Sequence, residues 1–340
     1  MLATFKILIK LSGDRVIRQK GMALVLVLWV LSLLTIMAGS FALSMRRESS
    51  IIGGIKNNAQ ALAIAESGIA MAEMMLLIPD RSKSWRADGN IYEIMSADAK
   101  VRVRFLSEKG KIDINKADER LLKSLMASAP VDEEQQTKLV GAILDWRDED
   151  DLVHLEGAEK TEYEDAGLSY QPRNKLFQSI EELQLVLGMD KSVFKWIEPL
   201  VTVYSGQQQV AVQQAAKEVL QIIPGLDRGL VDSYIAARLE SAKNNLPAPP
   251  FPSSSGQNSP AGLNNNLSGQ NNVISLVSEA LMSDGSSAVI SVVVSQSDQA
   301  QTTPFQVLKW QHLTANNASL FTDAMSELVV KQYAQTEFDN

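Results

Sequence analysis

From Gly21 to Met45 the chain reads GMALVLVLWVLSLLTIMAGSFALSM, with no charged residue. The twenty residues before it carry Lys6, Lys10, Arg15, Arg18 and Lys20 against a single acid, Asp14. A charge-free run of this length can cross a hydrocarbon core of roughly 30 Å, because a helix rises about 1.5 Å per residue. Basic flanks stay on the cytoplasmic side, so the remainder is expected to face outward. An ordinary secretory signal has a shorter apolar region followed by a small-residue cleavage site. Two readings therefore remain: a plain signal anchor, or a leader cut before the apolar helix, between Gly21 and Met22. Gly at that junction leaves the backbone open to a protease.

The apolar pattern does not stop where the membrane would. Ile55, Ala59, Leu62, Ala65, Ile69, Ala72 and Leu76 recur at three- and four-residue steps, up to Pro79. One helix from about Met22 to Ile78 would be on the order of 85 Å long. Gly53-Gly54 is an expected soft point in it.

A chain of 340 residues is expected to hold more than one domain. It has no cysteine, which excludes disulfides and thiolate metal sites. Without residues 1–20, which hold five bases and one acid, 27 bases and 39 acids remain, a net −12. That balance disfavours nucleic acid and anionic lipid as partners of the head.

Lys100–Ser107 (KVRVRFLS) alternates as a half-buried strand does. From Asp113 to about Leu239 the pattern is helical. Strand character returns at Ala288–Ser295 and Pro304–His312. Strand, long helical stretch and strand again suggest an α-domain inserted into a small sheet domain. Asn244–Asn272, rich in Pro, Asn, Ser and Gly, reads as a solvated linker. Within the insert, Ile112–Met126 is echoed by Val210–Asp227, and Ile223-Pro224-Gly225-Leu226 turns into a helix beginning at Arg228. These resemble helix-hairpin-helix units, read here as scaffold because the insert is acidic.

Between Asp132 and Asp165 there are 13 acids and three bases. Carboxylates this dense are stable when solvated, protonated or neutralised. A solvated acidic face is the more ordinary reading. A loop of staggered carboxylates also suits Ca²⁺, though no EF-hand spacing is present. Asp148 and Asp150 sit two apart and Glu159 follows a flexible Gly157. Asp151 and Glu162 are further candidates. Asp145 completes the apolar helical pattern of Leu139–Trp146 and is the weaker candidate. Zinc is disfavoured, since His154 is the insert's one histidine. No nucleophile elbow, phosphate loop or HExxH motif occurs, so no enzyme is expected.

The segments KGMALVLVLWVLSLLT, ALAIAESGIAMAEMML, GKIDINKADERLL, AILDWRDEDD, GAEKTEY, FQSIEELQLVLGM and IEPLVTVYSG, in this order, resemble the K-type minor pseudopilins of type II secretion systems, over roughly residues 18–240. The resemblance implies an α+β fold: a long N-terminal transmembrane helix, and a pilin-like α/β domain with a large inserted helical domain. The expected parts are a leader (1–21), a transmembrane half-helix (22–45), the first part of the pilin-like domain (46–110), the insert (111–243), the linker (244–272) and C-terminal strands (273–340). It implies Ca²⁺ in the insert. It implies a non-enzymatic subunit at the pseudopilus tip that starts fibre assembly and supports export of folded proteins. Its expected location is the bacterial inner membrane, single-pass, with the C-terminal domain in the periplasm. Its partners would be the I-type and J-type minor pseudopilins, the major pseudopilin, prepilin peptidase and the inner-membrane assembly platform. Most pseudopilins carry Glu at the fifth mature position, whereas K-type chains resemble this one in lacking it. That position is Leu26, which leaves no acid for a neighbour placed above. Alternatives are a minor pilin at a type IV pilus tip and a membrane-anchored DNA-uptake protein.

Overall fold

A computed structural model describes residues 20–80, 83–95, 98–252, 263–264, 272–296, 303–314 and 318–330. The expected leader lies outside these, apart from its last two residues. The chain divides into two compact units, Met1–Asn57 and Asn58–Asn340.

Helix α1 (Lys20–Leu77) supplies the described part of the first unit. It is the one helix among the described residues that is long and apolar enough to cross a membrane. Trp29, Leu33, Phe41 and their apolar neighbours are exposed to the surroundings, as a lipid-facing surface requires. The helix runs through Gly53-Gly54 without a break. Gly21 and Met22 lie in its first turn.

In the second unit, the C-terminal part of α1 packs on a six-stranded sheet of order β10-β1-β2-β7-β8-β9. The strands are β1 (Asp88–Met95), β2 (Ala99–Ser107), β7 (Asn272–Met282), β8 (Ser287–Gln296), β9 (Phe305–Leu313) and β10 (Val329–Val330). All neighbours are antiparallel except β1 and β10. Ala65, Ile69 and Ala72 of α1 meet Val101, Val103, Phe105, Leu276, Ile290 and Val292. The helix comes close because Gly68 faces the sheet. A Cβ there would lie 2.3 Å from Ser278 Oγ.

The alternation of β2 is the expected one, with Ala99, Val101, Val103, Phe105 and Ser107 buried. β8 and β9 also fall where the sequence places strands. β1 and β7 extend the sheet beyond that expectation. β7 does not alternate because both of its faces are covered. Its Glu279 is buried and accepts hydrogen bonds from Leu320 N and Ser319 Oγ, which fastens the segment after β9 to the sheet.

The insert between β2 and β7 is less helical than its sequence suggests. It holds α2 (Glu119–Ala127), α3 (Glu133–Arg147), α4 (Lys160–Asp165), α5 (Lys191–Ile197), α6 (Lys217–Leu220) and α7 (Arg228–Lys243). Two-residue strands β3 (Ile112–Asp113) and β4 (Val201–Thr202) pair in parallel, as do β5 (Val210–Ala211) and β6 (Leu263–Asn264). The internal echo is real at the level of structure: β3 and β5 each lead through a turn into a short helix. Asp118, Asp132, Asp190 and Asp227 cap α2, α3, α5 and α7 by accepting backbone N–H bonds, so part of the insert's acidity is helix capping.

The insert has its own core around Ile112, Leu122, Leu139, Ile143, Trp146, Tyr163, Phe177 and Val219. α7 joins the two cores. Val231 and Tyr234 belong to the insert core, while Leu239 and Ala242 pack with the sheet. Between them the buried Arg238 donates to Ala215 O at 2.7 Å and to Asp88 O at 2.6 Å. The boundary expected after residue 243 coincides with the end of α7, whose Leu239 and Ala242 already pack with the sheet. In the segment expected as a solvated linker, Asn244–Pro247 are exposed, but other described residues of it are structured. Phe251 is buried edge-on against Tyr234 with centroids 4.8 Å apart, and Leu263–Asn264 forms β6. Residues 253–262 and 265–271 of that linker lie outside the described set.

Candidate metal centre

The acidic block folds around the C-terminal end of α3. Apolar residues on several sides bury this helix, and they carry Asp145 into the interior at 0% exposure. A buried carboxylate must be hydrogen-bonded or neutralised. Asp145 accepts from His154 N at 3.0 Å and from Ala158 N at 2.6 Å, and His154 Nδ1 lies against it. The returning loop lies flat on α3 because two glycines permit it. A Cβ on Gly141 would sit 2.7 Å from Gly157 Cα, and one on Gly157 would sit 2.0 Å from Asp145 Oδ2.

Arg147, the base of the DWRDED run, does not neutralise these acids by direct pairing. Its guanidinium donates to Ile114 O at 2.6 Å and Ala117 O at 2.8 Å, tying α3 to the β3–α2 turn. Asp148 ends the helix. Its Oδ2 lies 3.5 Å from His154 Nδ1, and its Oδ1 is buried without a hydrogen-bond partner. Burial first, and then the charge of Asp150, pushes its carboxyl above the usual range. Glu159, at the start of α4, is 4% exposed and has an unpartnered buried Oε1. Desolvation, then Asp145, Asp148, Asp151 and Asp150 in turn, push its pKa up to about 7.

One carboxylate oxygen of Asp145, one of Asp148 and a ring nitrogen of His154 lie within 4.8 Å of one another. The structure thus brings Asp145 and Asp148 together and places Glu159 within their field. Asp145, the weaker candidate in sequence, is the most central, because a helical residue at the last turn points into the loop as readily as a loop residue does. Asp150 and Asp151 stand further out. Asp150 Oδ1 accepts from Leu152 N at 2.9 Å, and Asp151 Oδ1 accepts from Asn174 Nδ2 at 2.8 Å. Glu162 accepts from Glu159 N at 2.8 Å, a capping role for α4. Two participants escaped sequence reasoning: His154, read there as a lone histidine, and Asn174, whose Oδ1 is also buried and unpartnered.

The donor set fits a hard divalent cation. Buried oxygen acceptors without donors, on carboxyls whose pKa is raised by burial first and by neighbouring carboxylates second, are what a bound Ca²⁺ would satisfy. A single imidazole among carboxylates does not suit structural zinc. Replacing Gly157 with alanine is expected to push the loop away from Asp145 and to abolish any calcium-dependent rise in melting temperature. Gly167→Ala is a sham control for cluster geometry, since nothing lies within 4 Å of its would-be Cβ, although its positive φ brings a local cost.

A single long apolar helix leading into an α+β head, whose sheet carries an acidic helical insert, defines the class: a membrane-type helix bearing a two-core head. Residues 90–206 match the family model described as type II secretion system (T2SS), protein K. Type II secretion system protein K of Aeromonas hydrophila is 25% identical over 209 residues, covering 54% of this chain and 63% of that protein. The Klebsiella pneumoniae protein of the same name is 27% identical over 207 residues, covering 54% and 62%. The chain thus spans less than two thirds of the length of these curated relatives. The crystal structure of the GspK–GspI–GspJ complex from the type 2 secretion system of enterotoxigenic Escherichia coli includes a chain similar at TM-score 0.47 and 17% identity, covering 79% of this chain and 99% of that one. The resemblance drawn from sequence is borne out to this extent: residues 90–206 match the protein K family model, the curated relatives carry the same name, and the mixed α+β class is as expected.

Proposed function

We propose that this chain is a minor pseudopilin of a type II secretion system, a structural and non-enzymatic subunit. The observation that carries the reading is the protein K match over residues 90–206, in a head preceded by a membrane-length apolar helix. In this reading the chain is anchored in the inner membrane with its head in the periplasm. It pairs with I-type and J-type minor pseudopilins, sits at the fibre tip and starts assembly. Leu26 lies on the exposed apolar surface of α1, where most pseudopilins carry the acid that pairs with a neighbour's N-terminus. A subunit lacking that acid fits a position with neighbours below only. Asp145, Asp148 and Glu159 would hold Ca²⁺ in the insert, with His154 and Asn174 beside them. The bound ion would supply positive charge that offsets their repulsion.

Processing tests the anchor part of this reading. Co-expressed with prepilin peptidase, the chain is expected to begin at Met22, and Gly21→Leu is expected to leave it uncut. Intact mass gives the answer. A mature chain beginning after Ser40, or one keeping Met1 in the presence of the peptidase, would contradict it.

A further inference from the structure

Beside the acid cluster, the loop after α3 does something the metal reading does not need. Leu152, Val153 and Leu155 are 74%, 51% and 78% exposed, three large apolar side chains within four positions. Such a loop ordinarily folds its apolar groups inward. This one is prevented from doing so by its backbone. Leu152 N donates to Asp150 Oδ1, His154 N to Asp145 Oδ1, Gly157 N to His154 O and Ala158 N to Asp145 Oδ2. Asn174 Nδ2 donates to Asp150 O from the other side. Glu156 is held at φ 56°, in the left-handed region. The loop is therefore pre-organised with its apolar side chains outward, which lowers the ordering cost of docking.

The charged residues that the loop itself exposes are acidic, and Lys138, the base near Glu156, is paired with Glu134. Glu149, Asp150, Asp151 and Glu156 are exposed around the apolar tip. The nearest bases in sequence are engaged elsewhere: Arg147 with backbone carbonyls, and Lys160 with Glu164 at 3.7 Å. We propose that the 152–155 loop is a docking finger for a protein partner whose surface offers an apolar recess rimmed by lysine and arginine. Charge complementarity selects that occupant. Anionic lipid would be repelled by the same rim, and a second copy of this chain is itself net acidic. The inference goes beyond the pseudopilin assignment and does not depend on it.

The test uses the full chain in phosphatidylcholine nanodiscs, in chelator, with two fluorescent amphipathic peptides as probes, one of leucine and lysine and one of leucine and glutamate. Anisotropy is read against empty nanodiscs. The basic peptide is expected to bind and the acidic one not to. Leu152→Ser/Leu155→Ser is expected to weaken binding at least about tenfold, as loss of buried anchors does. Glu149→Gln/Glu156→Gln is expected to weaken it about threefold or more and to flatten its salt dependence. Val153→Ser, a smaller change at the tip, is expected to weaken it measurably, which guards against a misfolded double variant. Equal binding by wild type and all three variants would overturn the proposal, as would equal binding of the two peptides. Calcium-dependent binding to phosphatidylglycerol vesicles that is lost in the leucine pair, with the basic peptide indifferent to it, would assign the finger to lipid instead. Concentration-dependent dimerisation lost in the same pair would assign it to self-association.

Discussion

In millimolar calcium the chain is expected to melt well above its melting temperature in chelator. An ion that binds only the folded state stabilises by about 2.7 kcal/mol at a hundredfold excess over Kd. For a domain of this size that is roughly 5–10 °C. The cause lies in three groups: the buried Asp145, Asp148 with its unpartnered Oδ1, and Glu159 with its unpartnered Oε1. The pH dependence follows from the sign of the Glu159 shift. Its folded pKa, about 7, is above the ordinary value of 4.5, so without metal the folded chain holds a proton that the unfolded chain has released. In chelator, stability therefore falls as pH rises from about 4.5 through 7. Calcium requires the ionised carboxylates, so its stabilising effect grows over the same interval. Melting temperatures that are equal with calcium and chelator at pH 7.5 would return the cluster to a merely solvated acidic surface.

Trp146→Ala is expected to cost about 3–5 kcal/mol, the range for truncating a large buried aromatic. Trp146 is 1% exposed, stacked on Phe177 with centroids 5.9 Å apart and tilted against Tyr163 at 6.2 Å. It follows Asp145 and precedes Arg147, so one turn of helix carries the metal candidate, the core anchor and the clamp on the β3–α2 turn. The melting temperature should drop by roughly 6–20 °C. Trp146→Phe should be far milder, since it keeps the stacking and removes an indole N–H that has no partner. An alanine variant within 2 °C of the parent would show that the insert core does not depend on this side chain.

What the sequence made legible follows the physics of each element. α1 is visible because Gly21–Met45 is charge-free and long enough to cross a membrane, and its apolar stripe continues through Ala65 and Ala72. β2 is visible because one face is buried and alternation survives, and β8 because its AVISVVVS run is rich in β-branched residues although both of its faces are buried. β1 is not, since Asp88, Gly89 and Asn90 open it with residues that normally end strands. Arg238, 150 positions away, donates to Asp88 O and lies 3.8 Å from its carboxylate. β7 hides for the opposite reason: helix on one face and the Glu279-anchored segment on the other erase its period. The insert looked helical because its capping aspartates and Leu pairs are helix signals, but the short ladders β3–β4 and β5–β6 arise from pairings distant in sequence. In the acid cluster, residue type and density were readable. Asp145 and His154 acquire their place only through the close pass of Gly157 over α3, a tertiary contact.

The most direct measurement is the mass of the complex formed when the processed full chain is co-expressed with I-type and J-type minor pseudopilins from the same secretion system and purified in detergent. A minor pseudopilin that starts assembly is expected to co-purify as one species with one copy of each, resolved by native mass spectrometry. Recovery of this chain by itself, while the I-type and J-type subunits pair with each other, would contradict the assignment.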